Sequence, residues 1–391
     1  MPVRCLSLHA DYVCHKSGAC CTSGWPIHVE SDRLPAWRGA LADGTLTFEA
    51  GSAGDGLPLL ATPDLPPGAG AVLRTRASGA CVFYRERDGL CAVQRGLGHA
   101  SLPVACQHFP RRCLIESDRI AVSLSHYCPT VARLAFREDL DLAIVQAPDA
   151  LIGHIELEGL DARETMPPLL RPDLLADRET YRAWEQFVIG VLGLDLAPER
   201  ALARISALTE ALRTWKPGDG GLRERLDELV RNSATASDSA GVGAVSLDDD
   251  FEFEFRRREI PLRPLEGYEA VIASVPDGVP VERAPEGFAD LDATFVAPAW
   301  PAFSRPLRQF LAAHAFGNWC AYNGRGLRTV VRSLEVALQV ARVEAARACA
   351  RAERALDGAL LLEAFRAADL LLVHLADPVA LGERLSGAEQ D

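Results

Sequence analysis

The residues of this 391-residue chain best suited to chemistry are its thiols. Nine of eleven cysteines (Cys5, Cys14, Cys20, Cys21, Cys81, Cys91, Cys106, Cys113 and Cys128) lie in the first 130 residues, with six of the nine histidines. Thiolates are soft ligands that favour zinc or iron–sulfur clusters, and four complete a tetrahedral zinc or a single cluster. The N-terminus has no apolar export segment, so a cytoplasmic, reducing location is expected. Clustered cysteines there bind metal or do redox chemistry more often than they form disulfides. Cys14, Cys20, Cys21, Cys81, Cys91, Cys106 and Cys128 are the candidate ligands, and His15 is a minor one.

The loop Cys14-His-Lys-Ser-Gly-Ala-Cys20-Cys21-Thr-Ser-Gly-Trp25 can wrap a cation, because Gly18 and Gly24 allow sharp turns. Neighbouring side chains usually point apart, so one of Cys20 and Cys21 is expected to bind the metal while the other serves a second site or the core. Trp25 is expected to pack over the loop. His99, His108 and His126 read as ligands or, more simply, as hydrogen-bonded structural imidazoles. Arg111 and Arg112 read as salt-bridged or solvated cations, Cys320 and Cys349 suit core positions, and Cys5 and Cys113 suit core or surface ones equally.

These groups must be held by local elements. Asp88-Gly89 supplies a tight turn between Cys81 and Cys91, and a second hairpin is expected from Cys113 to His126, with Ile120, Val122 and Leu124 on one face. Residues 51–70 read as an exposed loop. Helical spacing begins near 175, with Asp177 as N-cap and Pro198 opening a second helix. A third covers Leu222 to Val230. Phe251–Phe255 alternates like a strand, and a Pro-rich stretch runs to Pro306. Helices are then expected near 304–322, 327–356 and 358–376, with Val330, Leu334, Leu338 and Val343, and Leu361, Phe365 and Leu370, as apolar stripes. The expected fold is mainly α, with a small irregular cysteine-rich α+β module at the N-terminus and a helical bundle in the C-terminal part. Its divisions are a metal-binding module over 1–135, a helical region over 136–232, a linker over 233–250 and a helical domain over 251–391.

Composition narrows the function. Hydrophobic residues make up 48% and charged residues 24%, which is globular. The negative net charge of -13 arises wholly beyond residue 130, where 29 Lys+Arg face 43 Asp+Glu. Such a surface repels phosphate backbones and anionic lipids, so neither nucleic acid nor membrane is an expected partner. No stretch reaches the roughly 20 apolar residues of a membrane span. A Rossmann-type methyl-donor site needs a glycine-rich turn after a strand, and Gly190-Val-Leu-Gly193 lies inside a helical pattern instead.

The order of Cys14, Cys20-Cys21, Gly24-Trp25, Gly79-Ala-Cys81-Val-Phe83, Gly89-Leu-Cys91-Ala-Val-Gln94, Cys106-Gln-His-Phe-Pro-Arg111 and Leu124-Ser-His-Tyr-Cys128-Pro129 resembles the cysteine-cluster proteins described as zinc- or iron-chelating domains. It is most similar to the flagellin lysine-N-methylase family. The likeness covers about residues 10–135. The first loop departs from it in lacking the further cysteine that many relatives carry there, and Leu361 to His374 matches the final helix of the family only loosely. The resemblance implies a cysteine-ligated cluster, of the 4Fe-4S type, and methyl transfer from S-adenosylmethionine to lysine amines of a protein such as flagellin. Two other readings follow from the residues: a non-catalytic zinc or iron–sulfur protein with a helical partner-binding scaffold, and a zinc-stabilised module on an unrelated helical domain. The sequence assigns no catalytic residue.

Overall fold

Strand Ile120–Leu124 is buried on both faces, with Ser123 its one polar residue, which suits the middle of a sheet covered on both sides. The computed structural model, which describes residues 1–49, 58–60, 65–153, 157–238 and 263–387, pairs it antiparallel with Arg111–Ile115 and parallel with Val3–Leu6. Gly159–Asp161 and Ile144–Gln146 form the two edges of this five-stranded sheet. Alternation sorts the side chains. Leu6, Leu114 and Ala121 enter the core of the helical body, while Cys5, Cys113, Val122 and Leu124 pack with Tyr12, Cys128 and Val131 on the other face. The hairpin from Cys113 to His126 is therefore present, with Val122 and Leu124 on one face as expected.

The thiol-rich segment has its own small core, built from Ile27, Val29, Trp37, Phe83, Val93 and Leu102. Trp37 packs edge-on against Phe83 at 5.3 Å and its Nε1 donates to Ser101 O at 2.9 Å. Of the loop expected over 51–70, Leu59–Leu60 is a strand paired with Ala69–Leu73, and residues 51–57 and 61–64 lie outside the described residues.

The protein is mainly α. Asp177 caps Arg178–Gly193 by accepting from Thr180 N at 2.8 Å, and Pro198 occupies the first turn of Pro198–Arg213. Helical structure does not begin in earnest at 136. Pro148, Pro167, Pro168 and Pro172 interrupt that region, whose described residues up to 176 form short strands and a single helical turn, Asp149–Ile152. The third helix, Leu222–Asp238, outruns its expected end because no glycine or proline follows before Gly241. The expected linker thus starts within this helix, and its remainder, with Asp248–Asp250 and Phe251–Phe255, lies outside the described residues.

Near the C-terminus the helix expected over 304–322 is divided. Ser304–Ala315 ends before Gly317, whose φ of 63° breaks the helix, and Cys320–Asn323 follows as a separate turn. The 26-residue helix Leu327–Ala352 runs through the body against Gly358–Asp369, Pro264–Ile272, Pro198–Arg213 and Ser304–Ala315. Its stripe of Val330, Leu334, Leu338 and Val343 is buried. Gly358–Asp369 continues as a π-helical turn, Leu370–Leu375, in which Leu370 is only half-buried, while Asp369 follows Leu361 and Phe365 on the buried face of the helix. No helix among the described residues is long and apolar enough to cross a membrane.

A buried ion triad joins sheet to helices. Arg119, beyond the turn of the Cys113–His126 hairpin, bonds Glu116 at 2.6 Å and Glu185 of Arg178–Gly193 at 2.7 Å. Tyr322 OH donates to Glu116 at 2.6 Å and Gly317 N to Glu185 at 3.0 Å.

Candidate metal centre

Gly18, at φ 73°, starts the loop that presents the first thiols. The single 3₁₀ turn Ala19–Cys21 follows, closed by Cys21 N donating to Gly18 O at 2.8 Å. In this tight turn Cys20 and Cys21 do not diverge. Their sulfurs stand 3.9 Å apart and line one small cavity, so neither is diverted to a second site or to the core, contrary to the expectation for one of them. Cys81 N donates to Cys21 O at 2.7 Å and thereby ties the next cysteine to the loop. The hairpin expected around Asp88-Gly89 forms, with Tyr84 opposite Cys91. Cys81 itself sits one turn before the paired strand, held in an isolated bridge to Thr75. Cys106 arrives on the helix Val104–His108, whose first amide donates to Glu30 Oε1 at 2.9 Å.

Five thiols, those of Cys20, Cys21, Cys81, Cys91 and Cys106, therefore converge on one cavity. The rest of its lining is apolar: Ile27, Trp37, Leu73, Phe83, Val93, Leu102 and Pro103. All five cysteines are free. Their acidities differ for local reasons. Cys91 is drawn down to about 7, first by the facing Cys21 thiol, against burial, and then by the amides of Gln94 and Val93 at the start of the helix Ala92–Leu97. Cys20 is lowered chiefly by the same Cys21 thiol, which is itself raised as the donor to both. Burial pushes Cys81 up to about 11 and raises Cys106 well above the ordinary range. Metal ligation requires thiolates, so Cys20 and Cys91, both lowered by the Cys21 thiol, are the members of the set closest to that state.

The remaining cysteines lie elsewhere. Cys14 is exposed, and Cys128 is buried on the sheet face with Cys5 and Cys113; the Tyr12 hydroxyl, 4.0 Å from Cys128 Sγ, faces both Cys128 and Cys14. Cys320 and Cys349 are buried among the helices, as their positions suggested. His15 and His99 are exposed. His108 is held structurally, with Nε2 accepting from Glu158 N at 3.0 Å and Nδ1 3.2 Å from Arg111 O. Arg111 donates to the carbonyls of Leu151, Gln107 and His108, and Arg112 lies over the Trp319 ring at 5.2 Å, so neither is simply solvated.

Trp25 stacks on His374 at 4.6 Å and also meets Tyr127 and Phe109, forming an aromatic group between the thiols and the helical body. Beyond it lies a polar cluster of which the sequence pointed only to His126. Asp369 Oδ2 accepts from Ser125 Oγ at 2.5 Å and from Tyr127 N at 3.3 Å, and His374 Nε2 stands 2.7 Å from the same hydroxyl. His314 Nε2 lies 3.0 Å from Asp369 Oδ1, and His126 and His9 are fully buried beside them. Burial alone raises Asp369, but the facing imidazoles, His314 first, outweigh it and hold the carboxyl well below its usual range. Burial lowers His126 to about 4 and His9 well below 6.5, so both are neutral imidazoles at neutral pH. The usable signal was Asp369, a lone carboxylate in the apolar run Ala367 to Val373. No family model, no curated protein and no solved structure matches this chain.

Proposed function

We propose that this chain is a metalloprotein that holds an iron–sulfur cluster of the 4Fe-4S type, or zinc, on thiols drawn from Cys20, Cys21, Cys81, Cys91 and Cys106. The observation that supports this most is the convergence of five free thiols from four separate segments on one apolar cavity. Four thiolates suffice for either group, and the fifth can stay protonated beside them. Bound there, a cluster supplies electron-transfer or Lewis-acid chemistry, whereas zinc supplies folding energy. The chain's own part is to present Cys20 and Cys91 as thiolates, to keep water out with Trp37, Phe83 and Leu102, and to brace the loop through the Cys81–Cys21 backbone bond.

The resemblance to flagellin lysine-N-methylases carries the reading further, to methyl transfer from S-adenosylmethionine onto lysine side chains of a protein such as flagellin. Among the described residues no glycine-rich turn joins a strand to a helix, so the residues present do not fit a Rossmann-type donor site. The methylase reading thus rests on the motifs of residues 10–135, and a non-catalytic metal-binding role with the helices as a partner scaffold is the alternative. Anaerobic purification, iron, zinc and acid-labile sulfide analysis and a visible spectrum test the metal. Brown protein with equal iron and sulfide supports the cluster; colourless protein with bound zinc supports the zinc form. Protein carrying neither metal sinks the proposal. Calorimetry with S-adenosylmethionine then separates the two roles, since absence of binding removes the methylase reading and leaves the metal one.

A further inference from the structure

We propose that His9, His126, His314 and Asp369 form a second metal site, for a divalent first-row transition ion such as zinc or ferrous iron, distinct from the thiol cavity. The four come from distant parts of the chain: the turn Ser7–Ala10 after the first strand, the residue two places beyond strand Ile120–Leu124, the end of helix Ser304–Ala315, and the last residue of Gly358–Asp369. Their exposures are 0% for His9 and His126, 7% for His314 and 2% for Asp369. Ligand atoms of His126, His314 and Asp369 all lie within 4.8 Å of one another, and the His9 ring centroid is 6.2 Å from that of His126.

Three features separate this cluster from an ordinary buried hydrogen-bond network. First, all four ring nitrogens of His9 and His126 are buried with no hydrogen-bond partner, where buried polar atoms are nearly always paired. Second, His314 Nε2 stands 3.0 Å from Asp369 Oδ1. Ligands about 2.0–2.1 Å from a shared ion stand at roughly that separation. Third, Ser125 Oγ and Tyr127 N hold Asp369 Oδ2 and leave Oδ1 directed at the imidazoles, the support that a ligating carboxylate needs. Phe310, 4.5 Å from His314 and 5.1 Å from His126, and Phe365, 6.1 Å from His126, wall the group with apolar rings. Imidazole-rich donors in dry surroundings select zinc or iron over calcium and magnesium, which prefer oxygen ligands and water. The proposal stands on these side chains alone and is independent of the thiol reading.

Cobalt(II) chloride added anaerobically to metal-stripped full-length protein tests it, because thiolate ligation gives an intense sulfur-to-cobalt charge-transfer band that nitrogen and oxygen ligation lacks. The expected result is a cobalt equivalent with d–d absorption and imidazole scattering at the cobalt K-edge, in addition to any thiolate-bound metal. Asp369→Asn and His314→Gln should lose that equivalent while keeping the thiolate band and the circular dichroism of the parent. Ser125→Ala should weaken it on the order of 10- to 100-fold. Wild-type protein with no cobalt outside thiolate ligation overturns the proposal, as does an unchanged cobalt signature in both ligand variants. Should a variant fail to fold, the wild-type spectrum and K-edge scattering decide alone. An imidazole signature without a thiolate band would support this site and count against the thiol centre.

Discussion

Replacing Arg119 by methionine removes the one cation between two buried carboxylates and leaves their charges without a counterion. Glu116 is 0% exposed, Glu185 1% and Arg119 6%, so water cannot take over from the guanidinium. After the substitution Glu116 keeps its bond from Tyr322 and Glu185 its bond from Gly317 N, but the oxygens that faced Arg119 lose their donors. The cheapest response is for one carboxyl to take up a proton and share it with the other. A carboxyl of ordinary acidity, near 4.3, costs about 4 kcal/mol to protonate at pH 7, which agrees with the roughly 3–5 kcal/mol usual for breaking a buried ion pair. The folded variant then binds one proton more than its unfolded chain, so its stability falls as pH rises and recovers as pH falls, by about 1.4 kcal/mol per pH unit. The deficit should therefore shrink to about 2 kcal/mol at pH 5.5. Urea unfolding followed by circular dichroism at both pH values measures this. Glu185→Gln in the Arg119→Met background should restore most of the loss at pH 7. A deficit below about 1 kcal/mol at pH 7, or one independent of pH, would refute the argument.

Three further expectations are sharp enough to test. Cys81→Ser and Cys106→Ser should weaken thiol-bound metal on the order of 10- to 100-fold, whereas Cys113→Ser and Cys349→Ser should leave metal content unchanged, since their sulfurs lie outside the cavity; metal analysis after gel filtration reads this. Gly18→Ala places a Cβ 2.7 Å from Tyr84 Cε2 at a φ of 73°, so it should lose about 1–2 kcal/mol from backbone conformation alone and disturb Cys91 opposite Tyr84; unchanged unfolding and metal content would count against the loop geometry. Asp177→Ala removes the cap on Thr180 N and should lower stability by about 1 kcal/mol, read from the urea midpoint, without altering metal content.

The legible part of the sequence was local. Asp88-Gly89 sets a turn whatever surrounds it, Asp177 and Pro198 mark helix starts through their own backbone chemistry, and the density of cysteines before residue 130 points to thiolate chemistry before any fold is known. The same density could not sort the thiols. Cys14 and Cys128 resemble the other candidates in composition and spacing, yet one is exposed and the other faces the sheet core, while the neighbours Cys20 and Cys21 share a cavity because a single 3₁₀ turn aims both sulfurs the same way.

Residue types and short-range spacing determined that the chain would be mainly helical and where its thiols would be concentrated, because capping, turn chemistry and apolar periodicity act within a few residues. Only the tertiary structure decided which five sulfurs meet and that His9, His126, His314 and Asp369 become neighbours. Those contacts join positions up to 360 residues apart (9 to 369), set by how the sheet packs on the helices. No local pattern records such packing, since each of these residues taken alone is compatible with an ordinary buried or exposed position.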